Sequence, residues 1–191
     1  SLQYTHQLAP GKHLINTEAC IDAQIPVWKD DSWYWSKEAK DWGWTWAPAD
    51  QKYLHPKYVP VFRYAGDIIG CLNNYVDGWI DWNMVLDKQG GPNWFKNWCI
   101  APVIVDPENN EVYFTPLYYT MAHFSKFMRP GAVKIGCTIN HKDLMATAVK
   151  NPDGTIALVI FNPTEQLKNV SIQLNNLSKN ISISSKALQT V

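Results

Sequence analysis

The chain has 191 residues, enough for one good-sized domain or for part of a larger protein. Its 17 lysines and arginines balance its 17 aspartates and glutamates, so no net charge would attract nucleic acid or an anionic membrane. No apolar run approaches the roughly 20 residues that span a bilayer, and residues 1–6 lack the pattern of a secretion signal, which for an exported protein is expected outside this chain.

The first predicted strand runs from Leu14 to Ala19 and carries Glu18 near its C-terminal end. Strand alternation predicts that Leu14, Asn16 and Glu18 lie on one face, and that Ile15, Thr17 and Ala19 lie on the other. Residues 22–56 show no regular period and hold six tryptophans, which favours a long ordered loop acting as a wall or lid.

Apolar side chains then recur at helical spacing over residues 57–75, which predicts an amphipathic helix. The aromatic segment 76–83 suits a second strand. The order strand, loop, helix, strand is typical of a parallel sheet or an α/β barrel. After a break at residues 90–93, segments 102–106 and 111–114 predict a hairpin, and Pro116 opens a helix that is expected to end at Gly131.

The remainder of the chain changes character, because short apolar segments alternate with turn residues. The predicted strands are 133–139, 144–150, 156–161, 170–174, 181–184 and 187–191. This pattern predicts a β-sandwich or part of one.

All ten tryptophans lie between Trp28 and Trp98, just after the strand that carries Glu18. The apolar faces of a sugar ring can lie against aromatic rings, while its hydroxyls need polar partners such as Asn and Glu. The cluster therefore predicts a sugar site in which large rings surround a buried acid. Each tryptophan taken singly is explained at least as well as a core residue.

The four cysteines are scattered without the close pairs that metal sites need. They are Cys20, Cys71, Cys99 and Cys137. We expect buried free thiols, no metal and no cofactor. Three glycosylation sequons, beginning at Asn169, Asn176 and Asn180, hint weakly at a secretory route.

Two carboxylates stand near predicted strand ends, where the reactive groups of α/β barrels gather. From position alone, Glu18 is as well explained by helix capping or an arginine pair as by catalysis. For Asp81, the better explanation from position alone is a buried acid that holds neighbouring backbone or a tryptophan N–H.

Six motifs, in order, closely resemble the C-terminal part of acid β-glucosidases (glucosylceramidases) of glycoside hydrolase family 30. They are Thr17-Glu18-Ala19-Cys20, Gly78-Trp79-Ile80-Asp81-Trp82-Asn83, Gly90-Gly91-Pro92-Asn93-Trp94, Asn97, Pro102-Val-Ile-Val-Asp106 and His123-Phe-Ser-Lys-Phe127. The resemblance implies an α/β plus all-β fold, the C-terminal portion of a (β/α)8 TIM barrel with an attached β-sandwich. The implied division is 1–82 for the last barrel strands and helices, 83–115 for a small β module, 116–130 for the final barrel helix and 131–191 for an incomplete sandwich.

The same resemblance implies roles for individual residues. Glu18 matches the nucleophile, Trp82 and Asn97 match residues that line the sugar pocket, and Trp79 and Asp81 belong to the same substrate-binding motif. Cys20 matches a cysteine beside the nucleophile and is read as a packing residue. The chain departs from the family in the loop after Glu18, which is longer and richer in tryptophan.

The implied activity is retaining hydrolysis of β-glucosides, with glucosylceramide-type glycolipids as the expected substrate. The family's acid/base glutamate has no counterpart here, since the only Asn-Glu pair, Asn110-Glu111, lies in the predicted hairpin. We therefore expect the chain alone to be inactive and to need the missing N-terminal portion of the enzyme, in a secreted or lysosome-like compartment. Two alternatives are a non-catalytic carbohydrate-binding module that uses the Trp-rich loop and a structural interaction fragment.

Overall fold

A computed structural model describes residues 1–22, 59–87, 90–92 and 99–191 of the chain. These residues belong to two compact units. The first unit takes the chain up to Tyr64 and Asn74–Met121, and the second takes Ala65–Asn73 and Ala122–Val191. Most of the predicted Trp-rich loop, together with residues 93–98, lies outside the described residues.

The elements before residue 130 mix helices with short strands. In chain order they are α1 (Leu2–Leu8), β1 (Leu14–Ala19), β2 (Ile21–Asp22), α2 (Val59–Asn73), β3 (Val76–Asp81), β4 (Val85–Asp87), β5 (Cys99–Ile100), β6 (Val103–Asp106), β7 (Glu111–Phe114) and α3 (Pro116–Ser125). After residue 130 the described elements are all strands. They are β8 (Val133–Ile135), β9 (Met145–Lys150), β10 (Ile156–Asn162), β11 (Lys168–Leu174), β12 (Leu177–Ile183) and β13 (Ala187–Thr190).

Strands β1 and β3 pair in parallel, as the strand, helix, strand order predicts. Asp77 holds the start of this pair: its carboxylate accepts hydrogen bonds from the backbone N–H of Leu14 at 3.3 Å and contacts the Nδ1 of His13 at 3.0 Å. Because β1 and β3 are parallel, their C-terminal ends emerge at the same edge of the sheet.

Helix α2 forms over the predicted segment because its apolar residues repeat every three to four positions. The side chains of Val61, Tyr64, Ala65 and Ile68 are buried, as that pattern predicts. Helix α1 was not expected from the sequence. It is a short helix whose first turn is capped by the Ser1 hydroxyl, which accepts from the N–H of Tyr4 at 3.4 Å, and none of its residues is buried.

The predicted hairpin is present as the antiparallel pair β6–β7, and β4 joins it in parallel through β6. Helix α3 starts at Pro116 as predicted but ends at Ser125, before Gly131. The early end has a physical reason: Pro130 disfavours a helical conformation at Arg129, and the chain instead makes turns that lead to Gly131 at φ +83°.

The second unit contains a four-stranded antiparallel sheet in the order β13-β10-β9-β8 and a separate antiparallel hairpin, β11–β12. Its core is a buried cluster of Leu144, Ala146, Ile160 and Ile183, with apolar side chains of both sheets packed around it. A cavity of about 510 Å³ lies within this unit along β9, β10 and β11.

Asn162 is the most extensively hydrogen-bonded buried side chain that the structure describes in this unit. It is fully buried, and its amide donates to the carbonyl oxygens of Gln166 and Ser184, both at 2.8 Å. Its Oδ1 accepts from the backbone N–H and the hydroxyl of Thr164. One amide thereby fixes the connection after β10 to the segment that follows β12.

Candidate functional site

The strand that carries Glu18 contains a β-bulge at that residue. Asn16 pairs with Trp79 and Ala19 pairs with Asp81, so three steps along β1 match only two along β3. The extra residue lies in the Thr17-Glu18 step, and both of these side chains are exposed. Bulges of this kind redirect side chains and are common beside active sites.

The bulge decides on which face Glu18 lies. Paired residues of parallel strands share a face, so Asn16 and Ala19 lie on the face of Trp79 and Asp81. Glu18 therefore lies on the opposite face, together with the exposed side chain of Ile80, rather than with Asn16 as simple alternation predicts. The prediction of a shared face for Leu14, Asn16 and Glu18 is wrong because it assumed an unbroken period of two.

Two further expectations for this region need correction or lie beyond the described residues. Glu18 is exposed and not the buried acid that the tryptophan cluster suggested. Asn97 and Trp94 fall in residues 93–98, outside the described part of the chain. The six tryptophans of the predicted loop fall in residues 23–58, which are outside it as well. Strand β2, just after Glu18, does pair with β5, just after Asn97.

Trp82 joins the two strand ends through its backbone. Its N–H donates to the carbonyl oxygen of Ala19 at 2.7 Å and also to the Asp81 carboxylate at 2.9 Å. The Trp82 side chain is 51% exposed, which leaves a large flat apolar surface at the end of the parallel pair. A ring in this setting can pack against a sugar face.

Asp81 and Trp79 face helix α2 and are engaged there. The Tyr64 hydroxyl donates to Asp81 Oδ1, and the Tyr64 and Trp79 rings meet edge to face with centroids 4.9 Å apart. These contacts give both residues a packing and positioning role. Their assignment as substrate-binding residues stays a prediction, as do the assignments of Glu18, Trp82 and Asn97.

Burial raises the pKa of the Asp81 carboxyl above 3.8, although the hydrogen bonds from Tyr64 and from the Trp82 N–H act in the opposite direction. Its second oxygen, Oδ2, is buried and lacks a hydrogen-bond partner among the described residues. A carboxyl in this state is costly to ionise, so its protonation state is sensitive to the loss of either donor.

Tyr64 is the residue of this site that the sequence pattern does not single out, because in the helical repeat it counts only as one more apolar residue. The available signal was chemical: a tyrosine in a buried helical stripe must find a partner for its hydroxyl. No metal-binding group of His, Cys, Asp or Glu occurs among the described residues. Cys20 is a half-buried thiol beside the site, and Cys71 and Cys137 are thiols as well.

Comparison with protein families matches both parts of the chain to one family. Residues 47–128 match the model for the glycosyl hydrolase family 30 TIM-barrel domain, and residues 131–191 match that for the family 30 β-sandwich domain. The chain is 36% identical over 168 residues to putative glucosylceramidase 4 of Caenorhabditis elegans and 30% identical over 167 residues to the lysosomal acid glucosylceramidase of Mus musculus. Each alignment covers 87% of this chain but only 28% of the relative.

Solved structures show the same fold. An endo-β-1,6-glucanase superposes on 99% of this chain with a TM-score of 0.73 at 24% sequence identity, and the match covers 37% of that enzyme. The predicted fold class, a TIM-barrel portion plus a β-sandwich, is thereby confirmed. The exact domain boundaries stay a prediction.

Proposed function

Because the chain belongs to glycosyl hydrolase family 30, we propose that it is the C-terminal part of a retaining β-glucosidase whose nucleophile is Glu18. The observation that carries the proposal is the bulge in β1. It supports an exposed carboxylate near the exposed Trp82, at the C-terminal edge of two parallel strands, where barrel enzymes hold their reactive groups.

In this proposal, Glu18 attacks the anomeric carbon and forms a covalent glycosyl intermediate, which water then hydrolyses. Trp82 supplies an apolar surface for the sugar, and Asn97 donates or accepts a hydrogen bond at the rim. Asp81 and Tyr64 hold the strand ends in register through the Trp82 N–H. The substrates are β-glucosides of the glucosylceramide type, in keeping with the names of the relatives.

The second carboxyl group, which protonates the leaving oxygen and activates water, is proposed to come from an N-terminal portion of the enzyme. The 191 residues alone are then inactive. This agrees with the span of the chain, which covers 28% of the length of the curated relatives compared above.

The alternative of a carbohydrate-binding module is less well supported. Such modules are usually compact all-β units, whereas β1 and β3 form a parallel pair that is connected through helix α2. Sugar binding by the 191 residues without any contribution to turnover in the complete enzyme would favour this alternative.

The test is covalent trapping in an enzyme that contains these residues. A fluorinated glucoside inactivator is expected to label the peptide that carries Glu18, and Glu18→Gln is expected to lower turnover of an aryl β-glucoside by on the order of a thousandfold or more. Glu165→Gln is the matched control, since Glu165 is an exposed glutamate paired with Lys186 in the second unit. Labelling at another residue would reject Glu18 as the nucleophile.

Two further outcomes bear on separate parts of the proposal. Turnover by the 191 residues alone, abolished by Glu18→Gln, would contradict the missing acid/base. Cleavage of a glucan without any cleavage of glucosylceramide would reject the proposed substrate class and leave the nucleophile assignment intact.

A further inference from the structure

Hairpin β11–β12 has one entirely polar face. The strands pair so that Asn169 lies opposite Ser182, Ser171 opposite Asn180 and Gln173 opposite Ser178. All six side chains are exposed. Four of them are hydrogen-bonded across the strands, since the Ser182 hydroxyl donates to Asn169 Oδ1 at 2.7 Å and the hydroxyls of Ser171 and Ser178 lie 3.3 Å apart.

The other face of the hairpin is mostly apolar, and its central residues are packed. Val170, Ile172 and Ile181 pack against the buried cluster of the second unit, and Ile183 belongs to that cluster. Because strand side chains alternate, the polar residues must lie on the side away from this core. The polar face, defined as residues 169, 171, 173, 178, 180 and 182, is thus an outer surface of the sandwich.

The three Asn-X-Ser sequons coincide with this hairpin. Asn169 and Asn180 lie on the polar face together with the serines of their own sequons, while the middle residues, Val170 and Ile181, point to the core. Asn176 lies in the two-residue turn between the strands and is exposed. All three acceptor amides therefore have room for a bulky substituent that does not enter the core.

The three asparagines differ in their surroundings. Asn169 already accepts the hydroxyl of Ser182, and it lies diagonally across the strands from Asn180, a separation of roughly 7–8 Å at which two large substituents crowd one another. Asn176, at the tip of the hairpin, and Asn180, on the polar face, are separated along the chain and free of such a conflict with each other.

We propose that the polar face of β11–β12 is an N-glycosylated surface, with oligosaccharides on Asn176 and Asn180. In the transfer, a bond forms between the asparagine Nδ2 and the anomeric carbon of the first sugar. The bond from that carbon to the phosphate oxygen of a lipid-diphosphate-linked oligosaccharide breaks, the lipid diphosphate leaves, and one amide proton is lost. The inference goes beyond the hydrolase function and does not depend on the role of Glu18.

The experiment is secretion of residues 1–191 from eukaryotic cells behind a cleavable signal, followed by treatment with a glycosidase that converts each glycosylated asparagine to aspartate. Peptide mass spectrometry of both secreted and retained protein is expected to find conversion at positions 176 and 180. Ser178→Ala is expected to abolish conversion only at 176, and Ser182→Ala only at 180, because each removes a sequon hydroxyl and keeps the acceptor asparagine.

The controls separate loss of a sequon from loss of folding. Ser182→Thr keeps the hydroxyl and is expected to keep the oligosaccharide on Asn180, while Ser185→Ala, an exposed serine outside any sequon, is expected to keep both. Absence of conversion at both 176 and 180, or conversion at 169 alone, would overturn the proposal.

Discussion

The hydroxyl of Tyr64, on α2, donates a hydrogen bond to the carboxylate of Asp81, at the end of β3. The same Asp81 oxygen accepts the N–H of Trp82, which in turn also donates to the carbonyl oxygen of Ala19. A helix, the end of one strand and the end of the next are therefore linked through two side chains and one amide. The first two predictions concern this link.

Tyr64→Phe removes the hydroxyl but keeps the ring against Trp79. Because the hydrogen bond from Tyr64 lowers the pKa of Asp81 against the larger effect of burial, its loss is expected to raise that pKa further. The free energy of unfolding is expected to fall by about 0.5–1.5 kcal/mol, the usual net contribution of one hydrogen bond, because Asp81 Oδ1 still accepts the N–H of Trp82. NMR titration of the Asp81 carboxyl carbon and urea unfolding measure the two effects.

Tyr119→Phe is the matched control for this substitution, because Tyr119 is 59% exposed. It is expected to leave both quantities nearly unchanged. A drop in the pKa of Asp81 in Tyr64→Phe would contradict the proposed direction of the hydrogen bond.

Asp81→Asn tests the cost of ionising the same carboxyl. Since the folded-state pKa is raised above 3.8, Asp81 contributes stability that is fully present below 3.8 and is lost as the pH rises through the folded value. Asparagine keeps an acceptor for Tyr64 but cannot ionise. The variant is therefore expected to gain stability relative to the parent as the pH rises through that window, and unfolding free energies measured across it should diverge. Parallel curves would show that burial does not disfavour the charged form.

Trp82→Ala in the complete enzyme removes the exposed ring at the strand ends. If the ring packs against the sugar, the loss is expected to raise KM for an aryl β-glucoside by about tenfold, since one aromatic contact is worth about 0.5–1.5 kcal/mol beyond its buried area. Steady-state kinetics measure the change. Tyr75→Ala, which removes another exposed ring of the first unit, is the control and is expected to leave KM unchanged.

Asn162→Ala removes the fully buried amide that joins two segments of the second unit. The substitution leaves the carbonyl oxygens of Gln166 and Ser184 and the N–H of Thr164 without their partner. A loss of about 2–4 kcal/mol in the free energy of unfolding is expected. Gln173→Ala, on the exposed face of β11, should change it by less than about 0.5 kcal/mol. Similar losses for the two variants would show that the buried network contributes little.

Gly131→Ala tests the turn after α3. Gly131 has φ +83°, and an added Cβ would lie 3.3 Å from Pro152 Cγ, so both the backbone and the neighbour oppose the methyl group. A destabilisation of about 1–2 kcal/mol is expected in thermal or urea unfolding. Gly136→Ala is the paired control, because nothing lies within 4 Å of its added Cβ. Equal effects of the two substitutions would contradict the strain argument.

The sequence predicts α2, α3 and most of the longer strands because their signals are local, whereas α1 and the short strands β2, β4 and β5 have no counterpart among the predicted elements. The helical spacing of Val61, Tyr64 and Ile68 is enough to place α2, and Pro116 is enough to start α3. Turn residues between apolar segments are enough to place the sandwich strands. The family resemblance then supplied the fold class, which the comparisons confirm.

The surroundings of Glu18 could not be predicted in the same way. No glycine or other marker in Leu14 to Ala19 signals a bulge, which arises only from the register with β3. The partner of Asp81 was missed for a related reason: Tyr64 lies 17 residues earlier, and only the tertiary fold brings the hydroxyl to the carboxylate. Long-range pairing, rather than local pattern, sets the geometry of the site.

Because of the bulge, the number of residues in β1 also determines the face on which Glu18 lies. Removal of Thr17 would restore an unbroken alternation between Asn16 and Ala19 and would leave Glu18 opposite Ile80, on the face that it already occupies. An unbroken strand that kept Thr17 would instead turn Glu18 to the face of Asn16. The direction of the carboxylate therefore depends on how many residues β1 places between Asn16 and Ala19 relative to β3, and not only on the identity of residue 18.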